Sequence, residues 1–195
     1  MRRRRFAAGL AVGGLAAPAV LRAQQGGGGA GERLILEIGD AQGRPKGGPV
    51  AIQLLPDVAP RHVERIRLLA VRNFYDGTPF HRVIEGFMAQ GGDQTGTGTG
   101  GSGQTGLPDL AAEFTNRYRF VRGTCGMARS GNPNSANSQF FIMFAPAPSL
   151  DGQYTIWGRV VGGMETVDQI KRGDPARNGQ VQQPDKVLRA TVAPA

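Results

Sequence analysis

The groups in this 195-residue chain that could do chemistry are few: two histidines, one cysteine, one glycine-rich loop and one dense run of polar and aromatic side chains. His62 and His81 lie far from any ligand-spaced partner, so neither a hydrolytic triad nor a metal centre has its parts. Both read as structural. Cys125 stands alone, which excludes an intrachain disulfide, and it reads as a buried thiol. Gly96-Thr97-Gly98-Thr99-Gly100-Gly101 matches the dinucleotide pattern G-x-G-x-x-G. The next stretch, Ser102 to Pro108, does not read as a helix, so no aligned amides would receive a pyrophosphate. No cofactor and no metal are expected. The remaining run, Phe80 to Asp93, holds Arg82, whose guanidinium is a rigid multidentate donor that stays protonated. It can supply hydrogen bonds but cannot act as a base. Taken singly, Arg82 would more often be half of an ion pair, and Phe87, Met88 or Phe141 part of a core.

The elements that must position these residues are short. Apolar or alternating runs recur at Arg33 to Ile38, Val50 to Leu55, Phe80 to Ile84, Phe87 to Gln90, Arg119 to Val121, Cys125 to Ala128, Phe140 to Phe144, Thr155 to Val161 and Val187 to Val192. Gly, Pro, Asn or Asp separate them, which predicts a β-sandwich or barrel. Two helices read clearly. One opens with Pro60 and carries Val63, Ile66, Leu69 and Ala70 on one stripe. The other spans Met164 to Arg172, with Met164, Val167 and Ile170 at threefold spacing and Gly173 just past its end. Strand alternation places Phe80 and Arg82 on one face with His81 on the other, and pairs Met88 with Gln90 and Gln139 with Phe141.

Phe80-His81-Arg82-Val83-Ile84-Glu85-Gly86-Phe87-Met88-Ala89-Gln90-Gly91-Gly92-Asp93 closely resembles a segment of the cyclophilins. The resemblance is reinforced by Gly98-Thr99-Gly100-Gly101, by Gly126-Met127-Ala128-Arg129 leading into Asn137-Ser138-Gln139-Phe140-Phe141-Ile142, and by Leu150-Asp151-Gly152 before Gly158-Arg159-Val160. These blocks keep the family's order and spacing from about Leu34 to the C-terminal strand. The resemblance implies a mainly β fold, a closed eight-stranded antiparallel barrel capped by two α-helices. It also implies peptidyl-prolyl cis/trans isomerase activity on proline-containing polypeptides.

Implied too are the site residues. Arg82 would be catalytic; Phe87, Met88, Phe141 and Leu150 would line a slot for the pyrrolidine ring; Gln90 and Gln139 would hold the substrate backbone. Ala128 and Arg129 would offer backbone groups to the residues before proline, and Gly98 would let a peptide approach closely. Tyr154 stands where many cyclophilins carry a histidine, keeping an aromatic wall and a hydroxyl. Ser149 takes the place of the tryptophan found in strongly cyclosporin-sensitive members, and Trp157, within a later strand, is no substitute. Weak cyclosporin binding is therefore expected.

The first 23 residues stand apart. Met1 to Arg5 is a cationic head, Phe6 to Val20 is apolar, and Arg3-Arg4-Arg5-Phe6 has the spacing of a twin-arginine signal. The apolar run is shorter than the ~20 residues of a membrane-spanning helix. An exported, periplasmic protein is expected, membrane-anchored if the signal is uncleaved. Residues 24–31 read as a Gly-rich linker, and 32–195 as one isomerase domain. The formal charge of +8 becomes +3 once the five arginines up to Arg22 leave, so no nucleic-acid partner is expected. A monomer is expected, since no long heptad run is present. Two activities compete: an isomerase, and a proline-segment-binding chaperone or scaffold in which catalysis is not essential. Retention of Arg82 favours the first, because a pure binder needs no charged donor opposite the prolyl nitrogen.

Overall fold

The computed structural model describes residues 31–195. The expected export signal (1–23) and all of the linker except Gly31 lie outside the described residues. Eight strands form: β1 (Glu32–Gly39), β2 (Val50–Leu54), β3 (Arg82–Ile84), β4 (Met88–Gly91), β5 (Thr124–Met127), β6 (Phe140–Met143), β7 (Ile156–Gly162) and β8 (Lys186–Pro194). Period-2 alternation decides which way each side chain faces. Leu34, Leu36, Ile52, Val83, Ala89, Phe140, Ile142 and Trp157 point into one buried core. Met88 of β4, Phe141 and Met143 of β6 and Ile156 of β7 point the other way into a second cluster.

The strands make one antiparallel sheet in the order β3-β4-β6-β5-β7-β2-β1-β8. Register shifts at Glu37/Ile38, Ala51/Ile52 and Cys125/Gly126 break the ladders locally, and such bulges bend and twist a sheet. The result is a strongly curled half-barrel rather than the closed barrel expected from the sequence. No ladder joins β3 to β8 among the described residues. The stretch before β3 reaches β8 instead: Phe80 N–H donates to Asp185 O at 2.8 Å, Val187 N–H donates to Thr78 O at 2.9 Å, and Pro79 bridges Lys186. Pro79 has no N–H to give a ladder, and β3 is three residues long. The two ends of the sheet therefore meet at a bridge.

Three α-helices are present among the described residues where two were expected. α1 (Pro60–Val71) packs on β7 and β8 and buries Val63, Ile66, Leu69 and Ala70 as the stripe requires. Glu113 receives the amides of Arg61 and His62 at its N-terminus and sits 2.6 Å from His62 Nδ1. Burial lowers the His62 pKa, against the opposing hydrogen bond that Glu113 accepts from it. α2 (Ser102–Thr105) is a single turn inside the glycine-rich loop, where no helix was expected. α3 (Met164–Asp168) stops before Arg172, because the amide of Lys171 donates to the Asp185 carboxylate and that of Gly173 to Val83 O. Arg119 to Val121 is not a strand: the Phe120 amide donates to Asp151 Oδ1, and Thr124 Oγ1 ties down Arg119 O. Cys125 is fully buried, and burial pushes its thiol pKa up, leaving little nucleophilic thiolate.

Candidate active site

On the outer face of β3, β4 and β6, nine side chains surround a cavity of about 180 Å³: Arg82, Phe87, Met88, Gln90, Ala128, Arg129, Phe141, Leu150 and Tyr154. All nine are residues that the sequence places in the site. The other two, Gly98 and Gln139, line an adjoining cleft of about 560 Å³ that shares Gln90, Ala128 and Arg129 with the slot. Alternation explains the gathering. Met88 and Gln90 leave β4 on the same side, and Gln139 and Phe141 do so around the start of β6, while Ala89 and Phe140 go into the interior.

Arg82 and Gln90 face each other in the β3/β4 register. Arg82 Nη1 donates to Gln90 Oε1 at 3.2 Å, Gln90 Nε2 donates to Gln139 Oε1 at 3.0 Å, and Gln139 Nε2 donates to the carbonyls of Gly98 (3.0 Å) and Gly100 (2.8 Å). One chain of hydrogen bonds thus runs from the guanidinium to the glycine-rich loop. The other side of the guanidinium meets Asn178: Nε donates to its backbone carbonyl at 3.0 Å and Nη2 to its Oδ1 at 2.9 Å. Asn178 has a left-handed backbone, φ 54°, which turns its carbonyl and side chain the same way. Sequence reasoning missed this residue. Asn178-Gly179 signals a turn, but nothing local shows that the turn closes against Arg82, 96 residues earlier. Burial lowers the Arg82 pKa, with Tyr154 opposing, yet an arginine remains a cation at neutral pH.

The slot floor is a packed aromatic layer. Phe120 stacks on Phe141 with centroids 5.7 Å apart, and Tyr154 meets Phe141 edge-on at 5.8 Å. A Cβ on Gly126 would collide with both phenylalanine rings, so this glycine is what lets Phe141 lie flat on β5. The Arg129 guanidinium lies 4.4 Å above the Tyr154 ring, and the Ala128 amide is taken by Gln139 O at 2.9 Å. Ser149 is exposed and does not line the slot. Trp157 is fully buried in the interior, edge-on to Phe140 at 5.9 Å, as its place in a strand implied.

Two expectations change. Phe80 does not share a face with Arg82; it is buried in the interior against Phe140. The strand begins only at Arg82, so alternation does not extend back across Phe80 and His81. His81 does stay out of the slot: it is buried under the glycine-rich loop, where a Cβ on Gly98 would lie 3.3 Å from its Nε2. The second change concerns that loop. Its amides are aligned, but on the protein's own carboxylate: Thr95, Gly98 and Gly100 donate to Asp93 at 2.9, 2.7 and 3.1 Å. Burial would raise the Asp93 carboxyl, but hydrogen bonds from Thr95, Gly100 and Gln104 outweigh it and hold its pKa at about 2. With φ 82°, Gly98 is a glycine for its backbone as much as for access.

A family model described as "Cyclophilin type peptidyl-prolyl cis-trans isomerase/CLD" matches residues 38–192. A probable peptidyl-prolyl cis-trans isomerase of Brucella suis is 54% identical over 158 residues, covering 75% of this chain and 79% of that protein. The rat peptidyl-prolyl cis-trans isomerase-like 3 is 41% identical over 127 residues, 64% of this chain and 77% of its own. Among solved structures, a Cryptosporidium parvum cyclophilin-type isomerase in the presence of the dipeptide Ala-Pro superposes with a TM-score of 0.72 at 26% identity, over 84% of this chain and 99% of that one. The Hirschia baltica cyclophilin AquaCyp293 gives 0.66 at 26%, over 82% and 73%. Fold, slot and kinship agree: the chain belongs to the cyclophilin-type peptidyl-prolyl cis/trans isomerases.

Proposed function

We propose that the slot binds the pyrrolidine ring of an X-Pro segment and that Arg82 catalyses rotation about the bond before it. The observation that carries this is the fixed Arg82 guanidinium at the rim of an apolar slot bounded by Met88, Phe141 and Leu150. A prolyl amide resists rotation because nitrogen shares its lone pair with the carbonyl, giving a barrier of ~18–20 kcal/mol. As the bond twists, nitrogen becomes pyramidal and regains that lone pair. A donor held at this position binds the twisted state more strongly than the planar one, which is the differential binding catalysis needs. Removing about 7 kcal/mol from the barrier would give ~10^5-fold acceleration. A charged, preorganised donor in a partly dry site can supply a large share of that.

Gln90 and Gln139 hold the substrate backbone, and their link to Arg82 keeps the guanidinium and the peptide track in one frame. Ala128 contributes its carbonyl, since its amide is already bonded. Gly98 and Arg129 border the track for the residues before proline. The reaction breaks no covalent bond and calls for no cofactor.

The clients on this reading are exported or envelope proteins whose folding waits on X-Pro exchange, which takes tens to hundreds of seconds uncatalysed. The twin-arginine-like leader ending near Ala23 supports a periplasmic destination. The domain acts as a monomer and binds cyclosporin weakly, because Ser149 offers no indole at the rim. Exchange in an Ala-Pro peptide, followed by NMR with the domain from Gln24 onward and its Arg82→Ala variant, tests the proposal. Fast exchange that collapses in the variant, with peptide affinity retained, supports the isomerase. A folded wild type that binds the peptide without accelerating exchange leaves the proline-binding chaperone.

A further inference from the structure

Among the described residues, two guanidinium groups and no carboxylate border the proline slot. Arg82 is held by Asn178 and Gln90, both uncharged partners. Arg129 is held in a similar way. Its Nε and Nη2 donate to Gln153 O at 3.3 and 2.9 Å, its Nη1 donates to Ser130 O at 2.9 Å, and its plane lies over Tyr154. Neither arginine makes an ion pair among the described residues. Other arginines do: Arg119 with Asp151, Arg122 with Asp168, Arg172 with Glu85 and Arg177 with Asp174. Position matters as much as charge. Arg129 lines both the slot and the adjoining cleft, with Gln90 and Ala128, so it stands where a chain passes from the proline ring into the cleft.

We propose that Arg129 is a specificity-determining residue that favours substrates with an acidic residue immediately before the proline. The inference rests on the isomerase reading and on its orientation of the peptide track. Three of the guanidinium N–H groups go to backbone carbonyls, which fixes the plane without cancelling its charge, and two of its five donors have no partner among the described residues and can meet a ligand. A carboxylate on the preceding residue meets this cation at the rim. Among the described residues, Asp109 is the one acid lining the cleft, and there it accepts from Asn137 Nδ2 at 2.8 Å. It disfavours acidic residues further along the track, so the preference is confined to the position next to proline. The Tyr154 ring fixes the guanidinium from below, which an imidazolium at that position would not do without adding a second cation.

The attraction is solvent-exposed, so its size is modest and screened by salt. The test compares exchange efficiency, kcat/KM by NMR, for two peptides that differ only in having Glu or Gln before proline. The expected ratio is about threefold in favour of Glu at ~0.02 M salt, falling toward one at ~0.5 M. Arg129→Gln removes the preference, Arg129→Lys keeps part of it, and Arg129→Glu makes a Lys-Pro peptide better than the Glu-Pro one. A wild-type ratio near one at low salt, or a preference that survives in Arg129→Gln, overturns the inference while leaving the isomerase intact, because both peptides still exchange. Acceleration of neither peptide overturns the isomerase reading and this inference together.

Discussion

The inner and outer faces of β4, β5 and β6 are made from alternate residues of the same short strands, yet they do opposite things. Inward, Ala89, Cys125, Met127, Phe140 and Ile142 are closed off from solvent and join α1 in one core. Outward, Met88 and Phe141 rest on Phe120, Met143 and Ile156, but one side of that layer is left open and ringed by Arg82, Gln90 and Arg129. The inner face gains stability from complete burial. The outer layer is almost as well buried, with Met88 2% and Phe141 5% exposed, but the partly buried Phe87, Leu150 and Tyr154 beside it leave a slot with donors fixed at its edge. A strand period of two therefore builds the fold and the site at once, and a one-residue slip in β4 or β6 would exchange them.

Replacing neighbours that face opposite ways probes this contrast directly. Phe140→Ala is expected to cost about 3–5 kcal/mol of unfolding free energy, the range for a buried phenylalanine, read by denaturant titration. Phe141→Ala is expected to cost about 2 kcal/mol, because its cavity opens to the slot, while exchange of an Ala-Pro peptide falls by at least about tenfold. Equal stability losses with exchange unaffected would erase the distinction between the faces. Gly126→Ala sharpens it from the opposite strand: a methyl group driven under Phe141 and Phe120 is expected to cost about 1–3 kcal/mol and to raise KM by lifting the slot floor. Asn178→Gly keeps the left-handed turn and the backbone carbonyl but deletes the Oδ1 acceptor for Arg82. It is expected to lower kcat about fivefold with little change in KM, the size of one hydrogen bond of about 1 kcal/mol.

Acid should loosen the interior side first. Burial lowers the pKa values of His62 and His81 in the fold, against Glu113 for one and Asp93 for the other. The unfolded chain then binds more protons below pH ~6.5, so stability falls as pH drops through that value. Asp93, held at about 2, adds a further loss between pH ~4 and 2 as its loop amides lose their acceptor. Unfolding free energies measured from pH 7 to pH 5 should decline; a rise would mean that the histidines are charged and paired within the fold.

Much of the site was legible because the residues that line it carry both a face and a type. Met88 with Gln90, and Gln139 with Phe141, could be assigned to one side by alternation alone, and the cyclophilin resemblance supplied the slot. Long-range closure was not legible. Asn178 reaches Arg82 from a turn, and Phe120 supports Phe141 from a stretch whose apolar run looks like a strand but whose amide goes to Asp151. The open sheet was hidden for the same reason: whether its ends zip or merely touch depends on Pro79 meeting β8. The early end of α3 was set by Asp185, which no helical spacing records.

On the proposed mechanism, Arg82 works as an oriented fork and not simply as a positive charge. Arg82→Lys, compared with wild type and Arg82→Ala in NMR exchange of an Ala-Pro peptide, separates the two. Lysine keeps the charge but cannot hold Asn178 and Gln90 while presenting a planar donor. A loss of about 10^2-fold in kcat/KM is expected for Arg82→Lys, close to that of Arg82→Ala. Exchange by Arg82→Lys within about threefold of wild type would overturn the fork and assign the catalysis to charge alone.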